Sequence, residues 1–358
     1  MSAFFLMKSE IRNLQSAILV IGQGLAGTAV AWRLFERGVP FVIVDAGELV
    51  TSSKIAAGLI SPITGQKLAL SWRIAELMPV AEAFYDRVET TLDVKFLHRL
   101  PHVRLFKEQR EVDLWKNKRV LDPALQPWLI KDAPLADDAA FHTELGGFVQ
   151  RAAWLDTARY LEASRVFFDQ HACYQQGTVA EDDLVLEADS VRWREQLFSN
   201  VIFCRGWQQA QQSRFFPWLP FASARGVIAS LQGDLMEERI VNRGAWLLPR
   251  GEGSWRAGST YEFDFSAPLE RSTDELKTKL RDVLKRPFEL SEAQAAIRPV
   301  IKHKPLALGR HPVHERIALL NGLGSKGVLR APFFAQMLVN HLLDDAMIDN
   351  DLDVRGNW

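Results

Sequence analysis

Cysteine is nearly missing from this 358-residue chain: only Cys173 and Cys204 occur. They form no CxxC pair and have no metal-ligand spacing, which excludes a disulfide framework and a cysteine zinc site and points to a reducing, cytoplasmic setting. An excess of basic charge is missing too. Lys plus Arg number 43 against 44 Asp plus Glu, for a net charge of -1, and no long block of like charge stands out, so nucleic-acid binding is not expected. The nearest thing to a long apolar run is the uncharged window from Asn13 to Trp32. Gly22, Gly24, Gly27, Gln23 and Thr28 dilute it, so neither a signal peptide nor a transmembrane segment is expected. Internal repeats and low-complexity segments are also absent, which excludes a solenoid. His303, His311, His314 and Glu315 lie close in sequence, yet Pro305 and Pro312 break any helical spacing and no metal is expected.

What is present is material for a sizeable core, with 47% hydrophobic and 24% charged residues over a length that suggests two lobes. Ala17–Ile21 is short, apolar and followed by glycines, the profile of a buried strand ending in a tight turn. Ala26–Arg37 carries helical spacing and stops at Gly38, and Phe41–Asp45 is a second apolar run: a βαβ unit. A Ser-, Lys- and Gly-rich loop then leads to an amphipathic helix over about 70–91, with Ile74, Leu77, Ala81, Phe84 and Val88 on one stripe. Strand-like runs follow at Val103–Phe106 and Gly147–Val149 around a charged helix near Glu108–Val120. Ser199–Trp207 contains another strand ending in glycine, and Gly226–Leu231, Ala245–Pro249 and Trp255–Thr260 suit antiparallel strands. Eleven tryptophans are scattered and suit core and pocket-wall positions rather than a base-stacking surface.

The strongest motif is Gly22, Gly24 and Gly27 in "IGQGLAGTAVAWRL", with Asp45 at the end of the next strand. The first glycine permits the turn, the second lets backbone approach a pyrophosphate, and the third lets helix pack on strand. The helix N-terminus favours the phosphate charge, and Asp45 accepts from a ribose. Dinucleotide binding follows, but FAD and NAD share this fingerprint.

The segments "SSKIAAGLI", "VIFCRGW", "LLPRGEGSWRAGSTYEFDF", "AAIRPVIKHKPLALGRHP" and "RIALLNGLGSKGVLRAPFFAQMLVNHLL" resemble, in order, the D-amino-acid oxidase superfamily, within which glycine oxidase is the nearest characterised type. The resemblance runs from about Ala17 to Leu343 and weakens between Leu92 and Glu144. It implies an α/β fold: a Rossmann-like FAD-binding domain over 15–93, 145–214 and 300–358, and a mixed antiparallel-sheet substrate domain over 94–144 and 215–299. It implies non-covalent FAD, since no His or Cys of the inner loop matches a flavin-linking position. Gly22, Gly24 and Gly27 then face the pyrophosphate and Asp45 the ribose. Ser53, Ala57, Gly58 and Leu59 lie beside the flavin, Val179 meets the adenine, and Gly206 closes a strand over the cofactor. Gly324, Ser325, Lys326 and Gly327 bring N–H groups to the flavin pyrimidine edge. Arg298 pairs with a substrate carboxylate. Tyr261 faces the flavin or belongs to the core. Lys326, where the resembling sequences differ, is either an ammonium beside the flavin or a solvated lysine.

The implied activity is oxidation of a small amine or amino acid by hydride transfer to flavin N5, with dioxygen or another carrier as electron acceptor. Two alternatives remain: a tRNA-modifying flavoenzyme acting on a carboxymethylaminomethyl uridine, and a non-catalytic FAD-binding protein. The oligomeric state is not legible.

Overall fold

The computed structural model describes residues 17–211, 213–233, 235 and 237–358. Residues 13–16 of the uncharged window lie outside these; its remainder folds as strand, turn and helix. Ile18–Ile21 is buried throughout and pairs in parallel with both Phe41–Asp45 and Asn200–Phe203, which is why it is apolar on both faces. The glycine-rich turn leads into the helix Leu25–Glu36. A six-stranded sheet runs in the order Tyr174–Gln176, Phe41–Asp45, Ile18–Ile21, Asn200–Phe203, Ile317–Asn321, Ala307–Arg310. All its pairings are parallel except the last, and the helix Gly327–Asp344 packs beside Leu25–Glu36.

A seven-stranded sheet forms the second layer system, in the order Glu289–Arg298, Ala224–Gln232, Ser254–Gly258, Trp246–Gly251, Ile240–Asn242, His102–Leu105, Gly147–Gln150. Its pairs are antiparallel except Ile240–Asn242 with His102–Leu105, so one parallel pairing sews the early segment to the late hairpins. Alternation sorts its faces. Val103, Leu105, Val227, Ala229, Trp255 and Ala257 pack with Leu276 and Leu280 of the helix Leu269–Arg281, while His102, Trp246, Gly226 and Ile228 lie on the cavity side.

Two expectations shift, and one element is new. The domain boundary at 145 falls too early, because Gly147–Gln150 pairs with His102–Leu105 in the seven-stranded sheet. The amphipathic helix begins at Ile74 rather than about 70: Ala69–Leu70 pairs with Ile63–Thr64 in a hairpin, and Arg73 at φ +52° breaks the helical path before it starts. The stretch 184–198 forms a small antiparallel three-stranded sheet of its own that periodicity did not disclose. No helix among the described residues is long and apolar enough to cross a membrane.

Candidate active site

A cavity of about 1300 Å³ runs from the glycine turn at the end of Ile18–Ile21 to the inner face of the seven-stranded sheet. Every residue expected at the cofactor or substrate site lines it except Gly27. Gly27 acts from behind: a Cβ there would stand 1.8 Å from the Gly22 carbonyl oxygen, so its hydrogen is what lets helix meet turn. Gly22 has φ +101°, and a Cβ on Gly24 would lie 2.9 Å from Ser53 Oγ. Ser53 Oγ accepts the Leu25 N–H at the helix start at 3.1 Å, an acceptor standing at the terminus that favours phosphate. The Asp45 carboxylate receives the Gln23 N–H at 2.7 Å and the Gly47 N–H at 2.8 Å. Each oxygen retains a lone pair for a ribose hydroxyl.

The inner loop is fixed by pairing Leu59–Ile60 with Ala153–Leu155, which carries Ala57, Gly58 and Leu59 along the cavity wall. Val179 and Gly206 also line the cavity, and the Gly206 carbonyl accepts from Asn321 Nδ2 at 3.0 Å. At the other end of the wall, the expectation for the 324–327 run narrows. The Gly324 N–H is taken by the Pro299 carbonyl at 2.9 Å, so Gly324 contributes its surface and not a free donor. Ser325 is exposed beside it.

Lys326 is not the solvated lysine of the alternative reading. Its Nζ donates to Thr64 Oγ1 at 3.0 Å and Ser71 Oγ at 2.6 Å, with no carboxylate partner among the described residues. Burial first, and the Arg330 guanidinium second, bring its pKa down to about 8. The two hydroxyls come from the hairpin that pairs Ile63–Thr64 with Ala69–Leu70 and from Ser71 directly after it, a contact that nothing in the local sequence announces.

Arg298 ends the strand Glu289–Arg298 and lies flat across the sheet. A Cβ on Gly226 would meet its Nη2 at 2.1 Å and its Nη1 at 2.4 Å, so the glycine supplies the berth. Its other contacts are neutral: Ser259 Oγ at 3.1 Å and the Thr260 carbonyl at 3.4 Å, with the Tyr261 ring centroid 5.7 Å away. Burial lowers its pKa, and no ion pair holds it among the described residues. Tyr261 is 49% exposed and therefore belongs to the mouth beside Arg298, not to the core. Trp246 lies over Gly258 in the same manner, a Cβ there being 2.3 Å from the indole.

The sequence reading missed Trp246, Asn242, Ser61, Thr64 and His102, all of which line the cavity. Gly226 and Gly258 were the available signal, since glycine inside a strand marks a close approach. Cys204 also lines it but is buried, and burial raises its thiol pKa. No three His, Cys, Asp or Glu among the described residues are grouped to hold a metal; His311 and His314 stack on one another at 4.6 Å beside Phe215.

The residues present suit FAD: a turn open to backbone approach, a helix start, a ribose carboxylate, and an inner loop leading to a second, polar compartment. Known proteins agree. The profile of the DAO family, described as FAD dependent oxidoreductase, matches residues 17–341. The bifunctional protein MnmC of tRNA 5-methylaminomethyl-2-thiouridine biosynthesis from Marinobacter nauticus is 25% identical over 366 residues, 91% of this chain and 55% of the relative; the chain thus spans about half that relative's length. Among solved structures, glycine oxidase from Geobacillus kaustophilus superposes with a TM-score of 0.73 at 16% identity, over 92% of this chain and 95% of that one. Iminodiacetate oxidase from Chelativorans sp. BNC1 gives 0.71 at 16% over 93% and 96%, and L-amino acid deaminase from Proteus vulgaris 0.70 at 14% over 96% and 94%. The fold, the dinucleotide cradle and the family match meet in one conclusion: this chain belongs to the FAD-dependent oxidoreductase family.

Proposed function

We propose that this enzyme oxidises a small amine or amino acid whose carboxylate is held by Arg298. One observation carries the reading: a half-buried guanidinium with no ion-pair partner within contact distance among the described residues, berthed on Gly226 and lining the cavity. Such a fork accepts a carboxylate through two parallel hydrogen bonds. Among the described residues Asp45 and Glu48 are the acids that line the cavity, and both stand with the glycine turn and the loop after Asp45; Glu262, off the lining, is paired with Arg225 at 3.7 Å. The inner compartment therefore presents Arg298 and Lys326 without a carboxylate, a field that favours an anionic group and the neutral form of an amine. Bound FAD supplies the two-electron acceptor. Arg298 fixes the substrate by its carboxylate, Trp246 and Ile228 wall its apolar part, and Lys326 adds positive charge near the 324–327 run. The αC–H leaves with its electron pair and the nitrogen loses a proton; the resulting imine is hydrolysed by water, and dioxygen or another carrier takes up the electrons.

The test is anaerobic flavin bleaching with a panel of D- and L-amino acids, glycine, sarcosine and N-alkyl amines. Bleaching by a carboxylate-bearing amine is the expected result. Bleaching only by carboxylate-free amines removes the role of Arg298, and bleaching by none of them favours a non-catalytic flavin protein.

A second reading, a flavoenzyme of tRNA modification, draws on one feature besides the 25% identical relative. The mouth carries exposed aromatics, Tyr261, Phe263 and Phe265 at 49%, 70% and 36%, suited to stacking on a base. The balanced charge weighs against it. Salt-sensitive binding of bulk tRNA in a filter assay favours this reading, and no binding at low salt removes it.

A further inference from the structure

His102 is a buried histidine that lines the cavity and whose Nε2 has no partner among the described residues. Its Nδ1 lies 2.8 Å from Ser61 Oγ and 3.4 Å from Gln150 Nε2. The surroundings decide which nitrogen carries the proton. Gln150 is completely buried and clamps the backbone of Ile63: its Oε1 accepts the Ile63 N–H at 2.7 Å and its Nε2 donates to the Ile63 carbonyl at 3.0 Å. That orientation turns an amide N–H, a group that only donates, towards His102 Nδ1. Nδ1 is therefore an acceptor, Ser61 donates its hydroxyl proton to it, and the imidazole proton sits on Nε2. The ring is neutral, because burial and the neighbouring Arg104 bring its pKa down to about 3. A buried N–H without an acceptor is costly, and the natural way to satisfy it is with the molecule that fills the cavity.

We propose that His102 is a neutral hydrogen-bond donor to the occupant of the inner cavity, set in its tautomer and orientation by Ser61 and Gln150. This goes beyond the Arg298 anchor. His102 and Arg298 stand on strands five steps apart in the seven-stranded sheet, roughly 20–25 Å at ordinary strand spacing. A carboxylate gripped by Arg298 is not the acceptor. The acceptor is an oxygen or nitrogen of the flavin ring edge, or of the far end of a substrate longer than glycine. Ser61 follows directly on the inner loop, and Thr64 and Ser71, in and after the next hairpin, hold Lys326; Ser61, Thr64, His102 and Lys326 line one cavity.

The experiment compares the FAD-loaded wild type with His102→Leu and His102→Gln. Side-chain nitrogen NMR on histidine-labelled protein reads the tautomer, and dye equilibration reads the flavin midpoint potential. The fastest amine of the bleaching panel reads substrate affinity. The expected result is a protonated Nε2 in the wild type and a five- to twentyfold effect in His102→Leu, partly restored by Gln. A shifted potential assigns the acceptor to the flavin; an unchanged potential with weakened amine binding assigns it to the substrate. Protonation at Nδ1, or a His102→Leu protein that matches wild type in potential and in affinity, overturns the proposal. If no amine bleaches the flavin, the amine-oxidase reading fails by itself, while the tautomer and the potential still decide the role of His102.

Discussion

At the scale of single residues, the site depends on two side chains lying over two glycines. Arg298 rests on Gly226 and Trp246 on Gly258, so the strands give up side-chain packing to bring long groups flat against the sheet. Gly226→Ala places a methyl within 2.1 Å of Arg298 Nη2 and must lift the guanidinium. The expected outcome is retained FAD with at least a tenfold loss of affinity for carboxylate-bearing amines, measured by anaerobic titration. Arg298→Lys keeps the charge and loses the fork, with an expected cost of about 1.5–3 kcal/mol in the same titration. Equal affinity in both variants and wild type ends the carboxylate role.

At the scale of elements, the inner loop and the last helix are joined through buried polar contacts. Gly58 and Gly65 both sit at φ +73°, but a Cβ on Gly58 would stand 1.9 Å from the Leu155 carbonyl oxygen, whereas Gly65 has nothing within 4 Å. The pair separates backbone strain from collision. Gly65→Ala is expected to cost about 1 kcal/mol and Gly58→Ala at least about 2–3 kcal/mol more, read from urea midpoints. Equal costs would show that the strand pair yields. Lys326 gives a pH signature. Its pKa falls from 10.5 to about 8 on folding. Below about pH 8 the ammonium is present in both folded and unfolded chains, and its burial costs stability in full. Between about 8 and 10.5 the folded chain releases the proton and the unfolded chain keeps it, so stability rises with pH. The stability of Lys326→Met apoprotein relative to wild type should therefore be greatest near pH 7 and fall towards pH 10. A difference that does not change across that range means that Lys326 titrates normally.

For the whole molecule, FAD would occupy a cavity walled by both sheet systems, and binding to the folded chain alone raises stability by mass action. With free FAD at about 100 times its Kd the gain is about 2.7 kcal/mol. The unfolding temperature of the apoprotein is expected to climb with FAD concentration, and the climb to weaken in Gly24→Val, whose side chain fills the turn. A flat response in wild type contradicts the cradle.

How much of this was legible follows from range. The glycine turn, Asp45 and the βαβ order are local: each needs only neighbours along the chain, a strand that must be apolar on both faces and a turn that admits no Cβ. Arg298 could be singled out because it stands in a motif, and it lines the cavity. The berth at Gly226, the neutral His102 and the clamp on Lys326 were not legible. They join residues 61 to 102, 63 to 150 and 71 to 326, and nothing in a linear pattern records which polar groups burial will bring face to face. The sequence by itself determined the dinucleotide cradle and the class of fold. Tertiary structure alone decided which ionisable groups are stripped of water without an opposite charge, because desolvation and hydrogen-bond partners exist only once the two sheets have closed over the cavity.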